Sequence, residues 1–134
     1  MKKKISVFVV ILATFGLFAF MPKSVTPDPW PVPAAAASKA NPMKGDAESL
    51  VTGKTLYNQH CKSCHGTKGK GDGPKASQLE TESGDFTKAP FQGQTDGSIF
   101  YKTSGGRKDM PSYKTKIPNA NDIWAVVNYL RTLK

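Results

Sequence analysis

The chain has 134 residues, of which 38% are apolar and 22% are charged, and its formal net charge is +9. This length predicts one modest domain with additional segments. Five lysines and one aspartate lie before residue 44, which accounts for +4 of the charge and leaves +5 for residues 44–134. A basic surface suits an acidic protein partner, an anionic membrane or nucleic acid. Because the sequence has neither a nucleic-acid-binding motif nor aromatic residues interleaved with basic ones, it excludes nucleic acid as the partner.

The N-terminus predicts export from the cytoplasm. Lys2, Lys3 and Lys4 precede an uncharged apolar run of seventeen residues, 5–21. This run is long for the core of a signal peptide and short of the ~20 residues that cross a membrane. No pair of small residues follows it directly, the alanines at 34–37 are distant, and the lack of a nearby cysteine excludes a lipid-modified N-terminus. Residues 1–21 are therefore predicted to be an export signal or an N-terminal membrane anchor, with a retained anchor favoured over cleavage.

Residues 22–45 are predicted to be a linker rich in proline and alanine. Prolines alternate with other residues from 27 to 33, and four alanines follow. Proline removes amide donors and holds the backbone extended. The folded domain is predicted over residues 46–134, and a core of this size often needs a covalent staple or a buried cofactor.

The first helix of this domain is predicted over residues 48–60. Leu50, Gly53 and Tyr57 would share its buried face. A glycine inside a helix costs about 1 kcal/mol relative to alanine, so Gly53 indicates a close approach of another backbone. A short helix over residues 96–103 would turn Ile99 and Phe100 inward and end at the glycines 105 and 106.

The last helix is predicted to begin after Asn119, with Asp122 as its capping partner. An apolar stripe then follows at helical spacing: Ile123, Val126, Val127, Leu130 and Leu133. No two runs of alternating apolar residues predict a sheet. The fold class is therefore all-α with long loops.

The segment HCKSCHG, residues 60–66, contains every cysteine and histidine of the chain. Two cysteines at this spacing occur in redox disulfides, in zinc sites and in covalent haem attachment. A thioredoxin-like site needs a βαβ pattern, and a structural zinc site needs four well-placed ligands; the sequence offers neither. C-x-x-C-H is the haem attachment pattern, in which Cys61 and Cys64 form thioether links and His65 becomes an axial ligand of the iron.

The sixth ligand of the iron is predicted to be Met110. His60 precedes the first cysteine and is held on the attachment side, so it is expected to be a polar surface residue. Met43 falls in the predicted linker. Met110 follows a turn-rich stretch and precedes Pro111, which fixes the local backbone. A thioether ligand favours Fe(II) and closes the iron to outside ligands, which suits electron transfer.

Over residues 49–133 the chain resembles the class I c-type cytochromes, especially the small bacterial mono-haem proteins. Four segments carry the resemblance: Gly53 and Tyr57 before CKSCHG; Gly71, Gly73 and Pro74; GGR-x-x-MP at 105–111; and the terminal IWAVVNYLRTL. The resemblance implies a cytochrome c fold, with three or more helices and long loops wrapped around one covalent haem c.

The resemblance also implies roles for individual residues. Gly53 and Tyr57 would pack against the C-terminal helix near Tyr129. The carbonyl of Pro74 would accept a hydrogen bond from the second ring nitrogen of His65 and so orient it. Met110 would be the distal ligand. Arg107 is predicted to contact a haem propionate.

The function implied is that of a one-electron carrier with His/Met ligation, without enzymatic activity, in a respiratory-type chain. It would act on the periplasmic side of the bacterial inner membrane, anchored through residues 5–21 rather than soluble. Two alternatives remain: a haem c subunit fixed in a quinol-oxidising or terminal oxidase complex, and an open-iron haem enzyme or gas sensor. Basic residues near the attachment and distal segments predict docking to acidic redox proteins: Lys62, Lys68, Lys70, Lys75, Lys102, Arg107, Lys108, Lys114 and Lys116.

Overall fold

The structure, a computed structural model, describes residues 30–134. Its helices are α1 (Ala34–Ala37), α2 (Ala47–His60), α3 (Lys62–His65), α4 (Ala89–Gln92), α5 (Asp96–Gly105) and α6 (Ala120–Leu130), with a 3₁₀ turn at Ala76–Gln78. Within residues 30–134 the only β-type pairing is an isolated bridge between Arg107 and Met110. The predicted all-α class is confirmed. The predicted export segment, 1–21, and the first part of the predicted linker lie outside the described residues.

The crossing of α2 and α6 forms the centre of the fold. A Cβ atom at Gly53 would lie 2.0 Å from the carbonyl oxygen of Ala125 and 3.0 Å from Cβ of Tyr129. Only glycine therefore allows the two backbones this separation. One turn further on, Tyr57 is fully buried, with its ring centroid 5.1 Å from that of Tyr129. The predicted packing of Gly53 and Tyr57 against the C-terminal helix is confirmed.

Helix α6 is the most buried element. The side chain of Asn119 accepts a hydrogen bond from the Asn121 amide and begins the helix. Four of the five residues of the predicted stripe are buried, and Val126 and Val127 are at most 1% exposed, whereas Leu133 lies beyond the end of α6 and is partly buried against the core. On the next face, Trp124 stacks on Phe100 of α5 with 4.2 Å between ring centroids. The stripe and the aromatic stack together hold α6 between α2 and α5.

The buried face of α2 differs from the prediction at one position. Leu50 was predicted to point inward, but it is 38% exposed, and Ser49 is buried in its place. Ser49 can be buried because its hydroxyl donates to the Asp46 carbonyl at 2.7 Å and accepts from the Asn128 amide at 2.8 Å. The inward positions are therefore Ser49, Gly53 and Tyr57, at a spacing of four residues.

The short helix predicted over residues 96–103 is confirmed as α5, which extends two residues further at its C-terminal end. Thr95 caps it by accepting from the Ser98 amide, and Gly106 ends it with a φ of 67°. Ile99 is 2% exposed, and the partly buried Phe100 packs against the core. Both residues point inward as predicted.

Residues 30–45, here named the N-terminal strap, pack on the domain rather than extending away from it as predicted. The alanines form α1 after Pro33, in keeping with their high helix propensity. The side chain of Thr95 donates to the Ala37 carbonyl at 2.7 Å. Asn41 donates to Asn128 at 2.8 Å, and Asn128 donates to the Met43 carbonyl at 2.6 Å. Pro33 keeps the extended backbone that proline favours, with φ −55° and ψ 139°, and the long-range hydrogen bonds hold the residues after it against the domain.

Candidate haem-binding site

One cavity of about 630 Å³ brings together the four side chains that the sequence predicts to hold a haem. Cys61, Cys64 and His65 line it, and Met110 lines it from a loop 45 residues further along the chain. Much of the remaining wall is apolar, as at Ile99 and at residues 79, 91 and 130. The volume lies in the range of about 300–1,000 Å³ that is usual for cofactor pockets.

The attachment turn follows directly from α2. The helix ends at His60, and a second short helix, α3, begins at Lys62 and closes at Gly66 with a φ of 80°. The Tyr57 hydroxyl donates to the Gly66 carbonyl at 2.6 Å and so ties the turn to the core. His60 is half-buried and lines the cavity, so its expected place on the surface is wrong. Its carbonyl accepts a hydrogen bond from the buried Tyr113 hydroxyl at 2.8 Å.

The two thiols are partly buried and are not joined in a disulfide. Burial raises the pKa of Cys61 to about 12, and the neighbouring Cys64 adds to this shift. The Cys61 thiol is therefore held uncharged beside an apolar cavity. Thioether attachment of a porphyrin requires this arrangement of two free thiols on one wall.

The glycine-rich segment of residues 66–74, here named the glycine-rich loop, packs against the attachment turn. Its Gly73 amide donates to the Cys64 carbonyl at 3.1 Å, and the Lys75 amide donates to the Ser63 carbonyl at 2.9 Å. A Cβ atom at Gly73 would lie 2.4 Å from that same Ser63 oxygen, so a side chain there would push the loop away. The loop thus fixes the backbone that carries Cys64 and His65.

The imidazole of His65 stacks on Phe86 with 4.4 Å between ring centroids. Burial lowers the pKa of His65 to about 4. The ring is therefore neutral at pH 7, as an iron ligand must be. Its Nδ1 atom is buried without a hydrogen-bond partner. This ring makes no hydrogen bond to the Pro74 carbonyl in the structure, and the orienting role of Pro74 stays a prediction.

Met110 is placed by a tight turn in residues 106–113, here named the distal loop. Arg107 and Met110 exchange two backbone hydrogen bonds, of 2.8 and 3.0 Å. Gly106 and Lys108 take positive φ values of 67° and 53°, which close the turn. The side chain of Met110 packs against a buried cluster that contains Tyr113 and also reaches the cavity wall. The sequence thus correctly predicted that a turn carries Met110.

Four aromatic residues that the sequence did not point to also line the cavity, and one of them is Tyr113 of the distal loop. Phe86 lies between the 3₁₀ turn and α4, and Phe91 lies within α4, with 4.4 Å between their ring centroids. Trp30, from the N-terminal strap, lies over Arg107 and also lines the cavity. The sequence did offer one signal for Phe86 and Phe91. They are the two phenylalanines of an otherwise polar stretch, and phenylalanine is usually buried.

The residues of the chain fit a covalent haem c. Two free thiols, a neutral imidazole and a thioether line one cavity of suitable size. The orphaned Nδ1 of His65 is an exception to the usual satisfaction of buried polar atoms, and such an exception is common at cofactor sites. Among residues 30–134, no group of three or more His, Cys, Asp or Glu could hold a metal ion, which gives the zinc alternative no support.

The fold and the site are those of a c-type cytochrome. The chain belongs to the cytochrome c family, whose model matches residues 50–134. The predicted all-α cytochrome c fold and the covalent haem c cofactor are thereby confirmed, and the coarse function is that of a haem electron carrier. No helix within residues 30–134 is long and apolar enough to cross a membrane.

Several solved structures are similar. The Kuenenia stuttgartiensis reducing HAO-like protein complex Kustc0457/Kustc0458 aligns with a TM-score of 0.64 at 26% identity, covering 78% of this chain and 51% of that one. The KustC0563 c-type cytochrome aligns at 0.52 and 28% identity, covering 61% and 96%. Cytochrome CL from Methylophaga aminisulfidivorans aligns at 0.52 and 19% identity, covering 67% and 58%. This chain thus spans about half of the first neighbour. No curated protein matches it.

Proposed function

We propose that the chain is a one-electron carrier whose haem c is attached through Cys61 and Cys64 and has His65 and Met110 as axial ligands. The observation that carries the proposal is the meeting of these four side chains on one cavity. When bound, the haem iron supplies the one-electron couple. A His/Met pair holds a higher reduction potential than two histidines would and leaves no open site for a substrate.

The protein contributes rigidity around these ligands. Phe86 stacks on the His65 ring, and the Tyr57 hydrogen bond fixes the turn that carries it. On the other side, the paired backbone of the distal loop holds Met110. Ligands held by packing and hydrogen bonds need little rearrangement when charge changes, which suits electron transfer.

The test of this ligation is carbon monoxide binding by the reduced protein at neutral pH. We expect the wild-type protein to bind carbon monoxide poorly and Met110→Ala to bind it readily, with a lower midpoint potential. Met43→Ala is the matched control, because Met43 packs against the core and does not line the cavity. Rapid binding by the wild-type protein would instead favour the open-iron enzyme or gas sensor and would remove Met110 from the ligand set.

The docking surface for an acidic redox protein is proposed to lie beside the attachment turn. A separate groove of about 570 Å³ there is lined by Lys62, Lys68 and Lys70, and Asp72 is the only acidic lining residue among those that the structure describes. The lysines of the attachment and distal segments do not share one cavity. The haem cavity has three basic lining residues, 88, 102 and 107, balanced by three acidic ones, 82, 85 and 109. The groove is therefore the more positive of the two surfaces.

Reduction of ferricyanide, an anionic oxidant, probes this charge. We expect Lys68→Gln to slow the reaction severalfold at low salt, and the difference to vanish at high salt, because screening removes long-range attraction. Lys54→Gln removes an equal charge from the exposed side of α2, outside the groove, and should leave the rate close to wild type. Equal effects of both substitutions would place the docking surface elsewhere.

A haem c subunit of a larger complex is the second candidate. It is favoured by the first similar structure, a reducing HAO-like protein complex at 26% identity over 78% of this chain. Purification of the native protein under mild conditions separates the two proposals. Co-elution with other haem proteins in fixed ratio would support the subunit, and elution alone would support the carrier.

We further propose that the protein acts outside the cytoplasm, held by a retained anchor at residues 5–21 rather than released. The lysines before this apolar run support an export signal. The intact mass of the membrane fraction tests the proposal. A full chain plus one haem supports the anchor, whereas a shorter chain plus one haem in the soluble fraction supports a diffusing carrier.

A further inference from the structure

The N-terminal strap brings an aromatic ring to the edge of the haem cavity. The Trp30 ring centroid lies 4.8 Å from Cζ of Arg107 and 5.7 Å from Nζ of Lys102. All three residues line the cavity. A cation within about 6 Å of an indole face is attracted by the ring, and the attraction is strongest for tryptophan. Trp30 therefore provides a platform on which two cations rest at the cavity wall.

The two cations are close enough to affect each other. Burial lowers the pKa of Lys102, and the charge of Arg107 lowers it further. Holding the Lys102 and Arg107 charges close together costs free energy, because like charges repel. The attraction of both cations to the shared indole ring offsets part of this cost. Gln94 fixes the Lys102 ammonium by accepting its hydrogen bond. The arrangement concentrates positive charge beside a cavity whose cofactor carries two carboxylates.

The position of Trp30 is set by contacts distant from it. Gly97 of α5 has no side chain, and a Cβ atom there would lie 2.3 Å from the Ala36 carbonyl oxygen, so glycine lets the strap lie on the helix. Asn41 then fixes the far end of the strap, donating to Asn128 at 2.8 Å and to Asp96 at 3.1 Å. A segment secured at two points holds Trp30 in a defined place.

The comparison with solved structures supports the strap as part of this fold. The first similar structure covers 78% of the chain, which is more than residues 46–134 alone could supply. The alignment therefore extends into the segment before residue 46.

We propose that Trp30 is a positioning residue of the haem site, which holds Lys102 and Arg107 against the carboxylate edge of the haem and thereby raises its reduction potential. The reason is electrostatic. Positive charge near the haem favours the reduced iron, which carries one positive charge less, and an indole cover keeps water from screening that charge. The inference depends on the covalent haem and not on the identity of its sixth ligand.

The test is redox titration of the full-length holoprotein. We expect the midpoint potential to fall in Trp30→Ala and also in Trp30→Leu. The leucine variant keeps an apolar cover but lacks an aromatic face. Trp30→Phe should recover most of the wild-type value. Tyr101→Ala is the control, because Tyr101 is an exposed aromatic residue of α5 that does not line the cavity. Unchanged visible spectra in all variants would show that the iron ligands are intact.

Repeating the Trp30→Ala substitution in a variant without the two cations tells whether Trp30 acts by positioning Lys102 and Arg107 or only by shielding the haem from water. In the double variant Lys102→Gln, Arg107→Gln, adding Trp30→Ala should shift the potential far less than it does in the wild type. An equal shift in both backgrounds, or no shift in either, would overturn the proposal. If Trp30→Ala fails to assemble haem, the comparison of Trp30→Leu with Trp30→Phe decides it, because only the aromatic face differs in kind. Failure of the Met110 assignment would appear instead as carbon monoxide binding in the wild type.

Discussion

Replacement of Gly53 by alanine tests whether the crossing of α2 and α6 determines the stability of the fold. The added Cβ would lie 2.0 Å from the Ala125 carbonyl oxygen and 2.5 Å from the carbonyl carbon. Both atoms belong to the backbone of α6, so no side-chain rotation can relieve the overlap. The two helices must separate, which would also disturb the Tyr57–Tyr129 contact one turn away.

The expected loss of stability is the difference between two effects. Overpacking of a close-packed core costs about 1–3 kcal/mol, and a direct backbone overlap belongs at the upper end. Alanine in place of glycine returns about 1 kcal/mol of helix propensity. We therefore expect the free energy of unfolding of Gly53→Ala to fall by about 2 kcal/mol. For a domain of this size, such a loss lowers Tm by about 8–16 °C.

Thermal and guanidinium unfolding of the holoprotein, followed by far-ultraviolet circular dichroism, measures this loss. Gly105→Ala is the matched control, because a Cβ atom at the end of α5 would meet nothing within 4 Å. It should be as stable as the wild type or slightly more so. If Gly53→Ala were as stable as Gly105→Ala, the close helix crossing would not be a requirement of the fold.

Two further substitutions test the polar contacts of α5 and α6. Burial raises the pKa of Asp96, but hydrogen bonds from Arg131 and Asn41 outweigh this and hold that pKa below its usual value. Asp96→Asn should lower the free energy of unfolding by about 1–3 kcal/mol near pH 7. The stability that a carboxyl with a lowered folded-state pKa contributes is lost as the pH falls from the ordinary carboxyl value of about 4 through that lower pKa, so the deficit should shrink in this range. A deficit independent of pH from 2 to 7 would contradict this. Asn128→Ala removes hydrogen bonds to the Met43 carbonyl, the Ser49 hydroxyl and the Asn41 side chain, and should lower the free energy of unfolding by about 1–3 kcal/mol in guanidinium titrations. An unchanged free energy of unfolding would show that water replaces the Asn128 amide.

Local patterns were sufficient to predict the main helices and the segments that carry the candidate ligands. The predicted apolar stripe and its Asn119 cap lie within fifteen residues, so helical spacing alone reveals them. The attachment motif is equally local. The turn before Pro111 was readable from its glycines, and the structure brings Met110 to the same cavity as His65.

Predictions that depended on distant partners were less successful. Ser49 is buried on α2 because Asn128, 79 positions away, satisfies its hydroxyl; with no view of that partner, the apolar Leu50 was the better guess for the core. The strap was read as extended for the same reason. Its conformation depends on the hydrogen bond from Asn41 to a residue 87 positions away.

Two glycines inside helices, Gly53 and Gly97, show how the packing of the N-terminal strap on the domain could have been predicted from the sequence. Gly53 was interpreted as a point of close backbone approach, because glycine weakens a helix and needs a packing reason. Gly97 lies near the start of α5 and meets the same condition: its missing side chain admits the carbonyl oxygens of residues 36, 37 and 39. Gly105, in contrast, lies in open space at the end of the helix, where glycine serves termination. The reasoning used for Gly53, when applied to Gly97, predicts that the backbone of another segment packs closely against α5. The alanine run before the domain is the segment best suited to that contact, since its small side chains allow the closest approach.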